Sequence, residues 1–210
     1  MSTRTLLTCG VLAGPIFMIV YLAQAFTRSG FDITRHPASV LSNGDLGWIQ
    51  IANFLVCGAL VIAGAIGMRR ELRTGPGGTW GPLLIGLSGL GLVGAAFLSA
   101  DPMDGFPPGT PLGAPTSMTT PGLLHFVASA VAFFAWIAAC FVFARRFSAV
   151  GQSGWAIFSA ATGALFLAAF LGTASGAGPV LALVAGVGLV WAWLSATFVR
   201  LSAELAPRSA

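Results

Sequence analysis

Long apolar runs alternate with short polar breaks along almost the whole chain, and the runs recur at one length. They cover roughly residues 5–26, 47–68, 79–100, 122–144, 152–174 and 179–199. Each is close to the about 20 mostly apolar residues that a helix needs to cross a bilayer. With no water in the hydrocarbon to satisfy an open backbone, the pattern predicts six transmembrane helices. The expected fold is all-α: one polytopic membrane bundle that occupies residues 1–210 as a single domain. The first run needs separate attention, because Arg4, the apolar stretch and Ala23-Gln24-Ala25 imitate a signal peptide with a small-residue cleavage site. Its apolar core is long enough to span and no soluble domain follows it, so a retained helix is expected.

Composition agrees: hydrophobic residues make up 56% of the chain and charged residues 8%, too few charges for an ordinary soluble domain. All ten positive residues are arginine, and they divide unevenly between alternate connections. Arg4, Arg69, Arg70, Arg73, Arg145, Arg146, Arg200 and Arg208 fall on one side, Arg28 and Arg35 on the other. In a plasma membrane the positive-inside bias then places both termini in the cytoplasm and the 28–46 and 101–121 loops outside. The net charge of +4 follows from this topology and needs no nucleic acid. Cys9, Cys57 and Cys140 all lie inside predicted spans, so no disulfide framework is implied.

Helices in lipid associate through close backbone approach rather than a hydrophobic drive, which makes small residues the packing signal. Gly10 and Gly14 supply it in the first helix, and Ala59, Ala63 and Gly67 in the second. The third concentrates Gly86, Ser88, Gly89, Gly91, Gly94 and Ala95, which predicts a central, tightly packed position. The sixth has no polar side chain from Val180 to Val190. That suits a lipid-facing helix off any substrate path, with Trp191 and Trp193 at the inner interface. No span carries a central Asp, Glu, Lys or Arg, which argues against an ion-driven carrier, and a channel's polar stripe is missing too.

Chemistry concentrates in the two long outer loops. In the first, Pro37 can start a short helix and Asn43-Gly44 can end it. Gln50, Asn53 and Cys57 follow at helical spacing on one face of the second helix. The second loop, Asp101 to Pro121, holds six of the twelve prolines and reads as a stiff, extended lid. Asp101 is expected to end the third helix, at the unfavourable negative end of its dipole, which marks it as a functional acid. Thr120 can cap the fourth helix, placing His125 about 6 Å below its start and on one face with Ser129.

These residues suggest acid-base chemistry on a lipid or isoprenoid, with Asp101, His125 and His36 as candidate proton-transfer groups. Arg35 could hold an anionic head group, and Ser39, Asn53 and Asp104 could contribute further ligand contacts. The bland alternative is a saturated network in which Arg35 pairs with Asp101 or Asp32 and His36 caps a helix. Two imidazoles and two carboxylates could in number hold a zinc ion, but no His-x-x-x-His or similar spacing supports it, so neither metal nor cofactor is expected. A binding protein for a lipid head group, a hydrophobic small molecule or a partner ranks first, an enzyme second and a transporter last. Membrane lipids are the expected partners, and an oligomer is compatible with the pattern.

The segments RHPASVLSNGDLGWIQIANF at 35–54 and ADPMDGFPPGTP at 100–111, with the loop leading to His125, resemble a bacterial and archaeal six-helix membrane family. It is known only as a domain of unknown function, family 998. The resemblance covers nearly the whole chain. Arg-His-Pro-x-Ser at 35–39 and Asp-Pro-x-x-Gly-x-Pro-Pro at 101–108 are its clearest elements. It implies the six-helix fold and attaches no activity to Arg35, His36, Ser39, Asn53, Asp101 or His125.

Overall fold

The computed structural model describes residues 1–72, 75–113, 115 and 117–205. Arg73 and Arg208 of the arginine count lie outside these residues. Six helices account for nearly all of the fold: α1 Thr3–Thr27, α2 Gly47–Leu72, α3 Trp80–Phe97, α4 Thr120–Ala149, α5 Ser153–Ala174 and α6 Val180–Glu204. All six are long and apolar enough to cross a membrane. One 3-10 turn, Ala38–Ser42, lies between α1 and α2, started by Pro37 and followed by Gly44 at φ 73°.

Local signals explain most of the helix ends. Ser2 caps α1 by accepting the Thr5 N–H at 3.1 Å. Thr119, rather than Thr120, caps α4 by accepting the Gly122 N–H at 3.1 Å, and Pro121 fits the first turn, where its missing N–H costs nothing. The third helix ends at Phe97, short of the expected boundary, so Asp101 is not at its carboxyl end.

The helices form a closed ring in which each packs against its neighbours in sequence and α6 returns to α1. The third helix is tightly packed through Gly89 and Gly91 but not central, because its two packed faces meet α2 on one side and α4 on the other. Each interface in the ring holds a glycine at a point of close approach. A Cβ on Gly67, Gly58, Gly91, Gly163, Gly186 or Gly14 would come within 3.0 Å of an atom of the next helix round the ring. These are the small-residue contacts that association in lipid favours. In α2 the stripe runs through Gly58, Gly64 and Gly67, whereas Ala59 is exposed.

The sixth helix departs furthest from expectation. Trp191 and Trp193 are 1% and 0% exposed, deep in the core rather than at an interface. Trp191 stacks on Phe17 of α1 at 4.9 Å and meets Trp136 of α4 edge-on at 4.9 Å, while Trp193 donates to Ser159 Oγ at 2.9 Å. A helix bounded by lipid on one face and protein on the other shows no amphipathic contrast, so its buried face was hidden in the sequence. Arg69 and Arg146 reach the 75–79 turn at 2.7 and 3.0 Å, and Arg146 and Arg200 approach Glu204 at 3.7 and 3.5 Å. These contacts gather at the terminal end of the bundle. The 28–46 and 98–119 connections lie at the opposite, loop end.

Candidate functional site

Two polar constellations occupy the loop end, and they differ in how completely they are bonded. The first is a clasp between the two long loops, centred on His36, which is 1% exposed. The Asp32 N–H donates to His36 Nδ1 at 2.9 Å, so Nδ1 carries the lone pair and Nε2 carries the proton. Nε2 then donates to the Asp104 carbonyl at 3.0 Å. The ring lies between Phe31 and Phe106, at 5.3 and 5.7 Å. Both nitrogens are used within the protein, which leaves His36 no free atom for catalysis.

Arg35 completes the clasp. It donates from Nε to Asp104 Oδ2 at 2.8 Å and from Nη2 to Oδ1 at 2.5 Å, and its expected pairing with Asp101 or Asp32 is replaced by this fork. Asp104 sits at φ +50°, a left-handed conformation that Asp tolerates, and also accepts the Gly113 N–H at 2.8 Å. The Arg35 hydrogen bond, then that of Gly113, holds the Asp104 carboxyl down to about 2. Asp32 is likewise held below the usual carboxylate range, chiefly by the Thr34 hydroxyl and N–H. Arg28 lies over the Phe106 ring at 4.9 Å and donates to the carbonyls of Leu41 and Asn43, closing the end of the 3-10 turn. The sequence singled out Arg35 and missed Arg28, although an arginine followed by a proline-started turn was a usable signal.

The second constellation is a cavity of about 440 Å³ at the loop end, with walls from all six helices. Trp136 and Trp191 lie at its deep end, and Phe54, Phe133 and Phe170 form much of its sides. The 3-10 turn and the segment around Asp101 and Met103 roof it. Its exposed lining residues are Pro115 and Met118 of the second long loop, Phe126 of α4 and Ala174 at the end of α5, so its open side lies there. Leu183, Val184 and Val187 of α6 line it too, against the expectation that α6 keeps clear of any ligand path.

Three of the expected site residues, Ser39, Asp101 and His125, meet at this cavity. His125 Nδ1 is 2.7 Å from the Leu98 carbonyl and 3.1 Å from that of Ala95. Both partners only accept, so Nδ1 carries the proton, and in the uncharged ring Nε2 is a bare lone pair. Asp101 accepts the Thr119 N–H at 3.0 Å and the Thr119 hydroxyl at 2.6 Å. Its charge therefore faces the positive end of α4, a favourable arrangement and the reverse of the one expected at the end of α3. Asn53 lies elsewhere, bonded across to the Phe17 carbonyl at 3.2 Å and to Cys57 at 3.3 Å in the α1–α2 seam. Arg35, His36 and Asp104 stay in the clasp. Among the described residues no group of three His, Cys, Asp or Glu side chains gathers to hold a metal ion.

Residues 11–200 match the model of a family described as a protein of unknown function, DUF998. The chain belongs to that family. No curated protein and no solved structure matches it. The six apolar helices are those of a membrane bundle, and the family description adds no activity to them.

Proposed function

We propose that this DUF998 protein is a membrane-embedded binding protein whose loop-end cavity holds the apolar body of a lipid or lipid-like small molecule. The observation that carries the reading is the cavity itself. At about 440 Å³ it lies within the roughly 300–1,000 Å³ of small-molecule sites, and it combines aromatic walls with a few polar groups. The lining favours a tail over the head group expected from the loops alone, because Arg35 is committed to Asp104. With the arginine-rich terminal end in the cytoplasm of a plasma membrane, the cavity opens towards the outer leaflet. The two tryptophans at its deep end favour a blind site over a through-passage. An acid-base enzyme built on His125 is the second reading, favoured by its bare Nε2. Asp101, bonded twice to Thr119, is better suited to positioning the start of α4 than to proton transfer.

The test is native mass spectrometry of the protein purified in lipid, comparing wild type with Val184→Trp, which fills the cavity from α6. The expected result is a co-purifying lipid on wild type that the filled variant loses while it melts at a similar temperature. Equal retention by both would place the lipid elsewhere and end the proposal.

A further inference from the structure

The loop-end cavity is deep, and it stops at a layer of rings. Along α4 its lining runs from Gly122 to Trp136, about 21 Å at 1.5 Å per residue. The lining closes along that path: Phe126 near the mouth is 46% exposed, whereas Ala132 and Trp136 are each 1% exposed. At the bottom, Trp191 of α6 stacks on Phe17 of α1 and meets Trp136 of α4 edge-on, both at 4.9 Å. Three helices thus contribute one ring each to a continuous floor. One turn further along the same helices, Ala13, Leu194 and Cys140 are 0% exposed and do not line the cavity. The floor is also fixed in place, because α1 and α6 approach closely there: a Cβ on Gly14 would lie 2.9 Å from the Trp191 carbonyl oxygen.

What such a cavity can select follows from its surroundings. A lipid chain that leaves the bilayer exchanges one hydrocarbon environment for another, so burial alone gains it little. Fit is what remains. A chain too short leaves unfilled space above the rings and forfeits dispersion contacts there. One too long has to buckle or lift its head group away from the polar loops at the mouth. An extended chain of 1.5 Å single bonds advances about 1.3 Å per carbon, so the lined length corresponds to about 16 carbons. Helical side chains lean towards the start of their helix, so the Trp136 ring reaches up the cavity and shortens this to roughly 14.

Building on the proposed binding role, we infer that Phe17, Trp136 and Trp191 are specificity-determining residues: their floor admits one lipid chain of roughly 14 carbons end-on and rejects longer ones. The chain enters tail-first past Phe126, and its head group stays at the loop end.

Native mass spectrometry reads chain length directly as mass. The protein is offered an equimolar mixture of lysophosphatidylcholines whose saturated chains bracket the expected length, and the bound distribution is compared with the supplied one. Wild type should show a maximum at the expected length. Val187 lines the cavity one turn above Trp191. Val187→Trp therefore raises the floor by about 6 Å and should move the maximum to chains about four carbons shorter. Trp136→Leu lowers the floor and should move it to longer chains. No bound lipid on wild type would overturn the binding role together with this inference. A bound distribution that copies the mixture, or a maximum that stays put in either variant that folds, would overturn the inference and leave the binding role standing. If neither variant folds, the wild-type distribution decides.

Discussion

The two histidines lie at the same end of the bundle, and they carry the ring proton on opposite nitrogens. His36 has its proton on Nε2 and uses both nitrogens to join two loops. His125 has its proton on Nδ1, spends it on the last turn of α3, and leaves Nε2 with no partner among the described residues. Each is at least 96% buried, so exposure does not separate them. What separates them is saturation. A buried group whose hydrogen bonds are all made internally is part of the scaffold, whereas one left half-made carries an unmet cost.

The contrast is broken most easily by exchanging the expected costs. His36→Ala should destabilise the protein by roughly 3 kcal/mol or more, because it empties an aromatic-sized space between Phe31 and Phe106 and orphans the Asp32 N–H and the Asp104 carbonyl. Thermal unfolding in lipid nanodiscs measures it. His125→Phe, which keeps the volume and loses the bond to Leu98, should cost about 1–2 kcal/mol. Equal costs in the two variants would erase the distinction.

A second pair sharpens the role of Asp101. In Gly122→Ala the new methyl would meet the Asp101 carboxylate and force it off Thr119. Asp101→Asn keeps the shape but offers the two Thr119 donors one acceptor oxygen in place of two. Each should cost about 1–2 kcal/mol by loosening the start of α4. A proton-transfer role would instead leave stability unchanged in Asp101→Asn and abolish turnover once a substrate is found.

The seam between α2 and α3 gives a control remote from both histidines. A Cβ on Gly58 would lie 2.9 Å from the Gly89 carbonyl, so Gly58→Ala should cost about 1–3 kcal/mol through overpacking and leave lipid retention by the cavity intact. The smallest effect concerns the exposed Arg35–Asp104 fork. The Asp104 pKa is lowered in the folded state, to about 2, so the fork's stabilisation is present in full above the ordinary carboxyl value near 4. It is lost as pH falls through about 2. The melting temperature of wild type minus that of Asp104→Asn, followed from neutral pH downwards, should stay flat to about pH 4 and then shrink. A difference that vanishes near neutrality would mean that the fork does not form.

Much of this architecture follows from the chain alone, and for one reason. A bilayer forces every spanning segment to satisfy its own backbone, so the length of an apolar run is the length of a helix. The runs at 122–144 and 152–174 became Thr120–Ala149 and Ser153–Ala174. Of the expected site residues, Ser39, Asp101 and His125 line one cavity, because Pro37 and Thr119 fix where their segments begin.

Which face of each helix turns inwards was decided by the tertiary structure. In water an apolar stripe against a polar one reports burial. In a membrane both surroundings are apolar, and α6 carried no mark to show that Leu183 to Trp191 would wall a cavity rather than face lipid. The return of α6 to α1, the splitting of Arg35, His36 and Asp104 from Asp101 and His125, and the aromatic floor of Phe17, Trp136 and Trp191 all depend on that choice of face. It is set by glycines such as Gly14 and Gly91, which let particular pairs of backbones approach closely, a matter of shape between distant segments that no run of residues expresses locally.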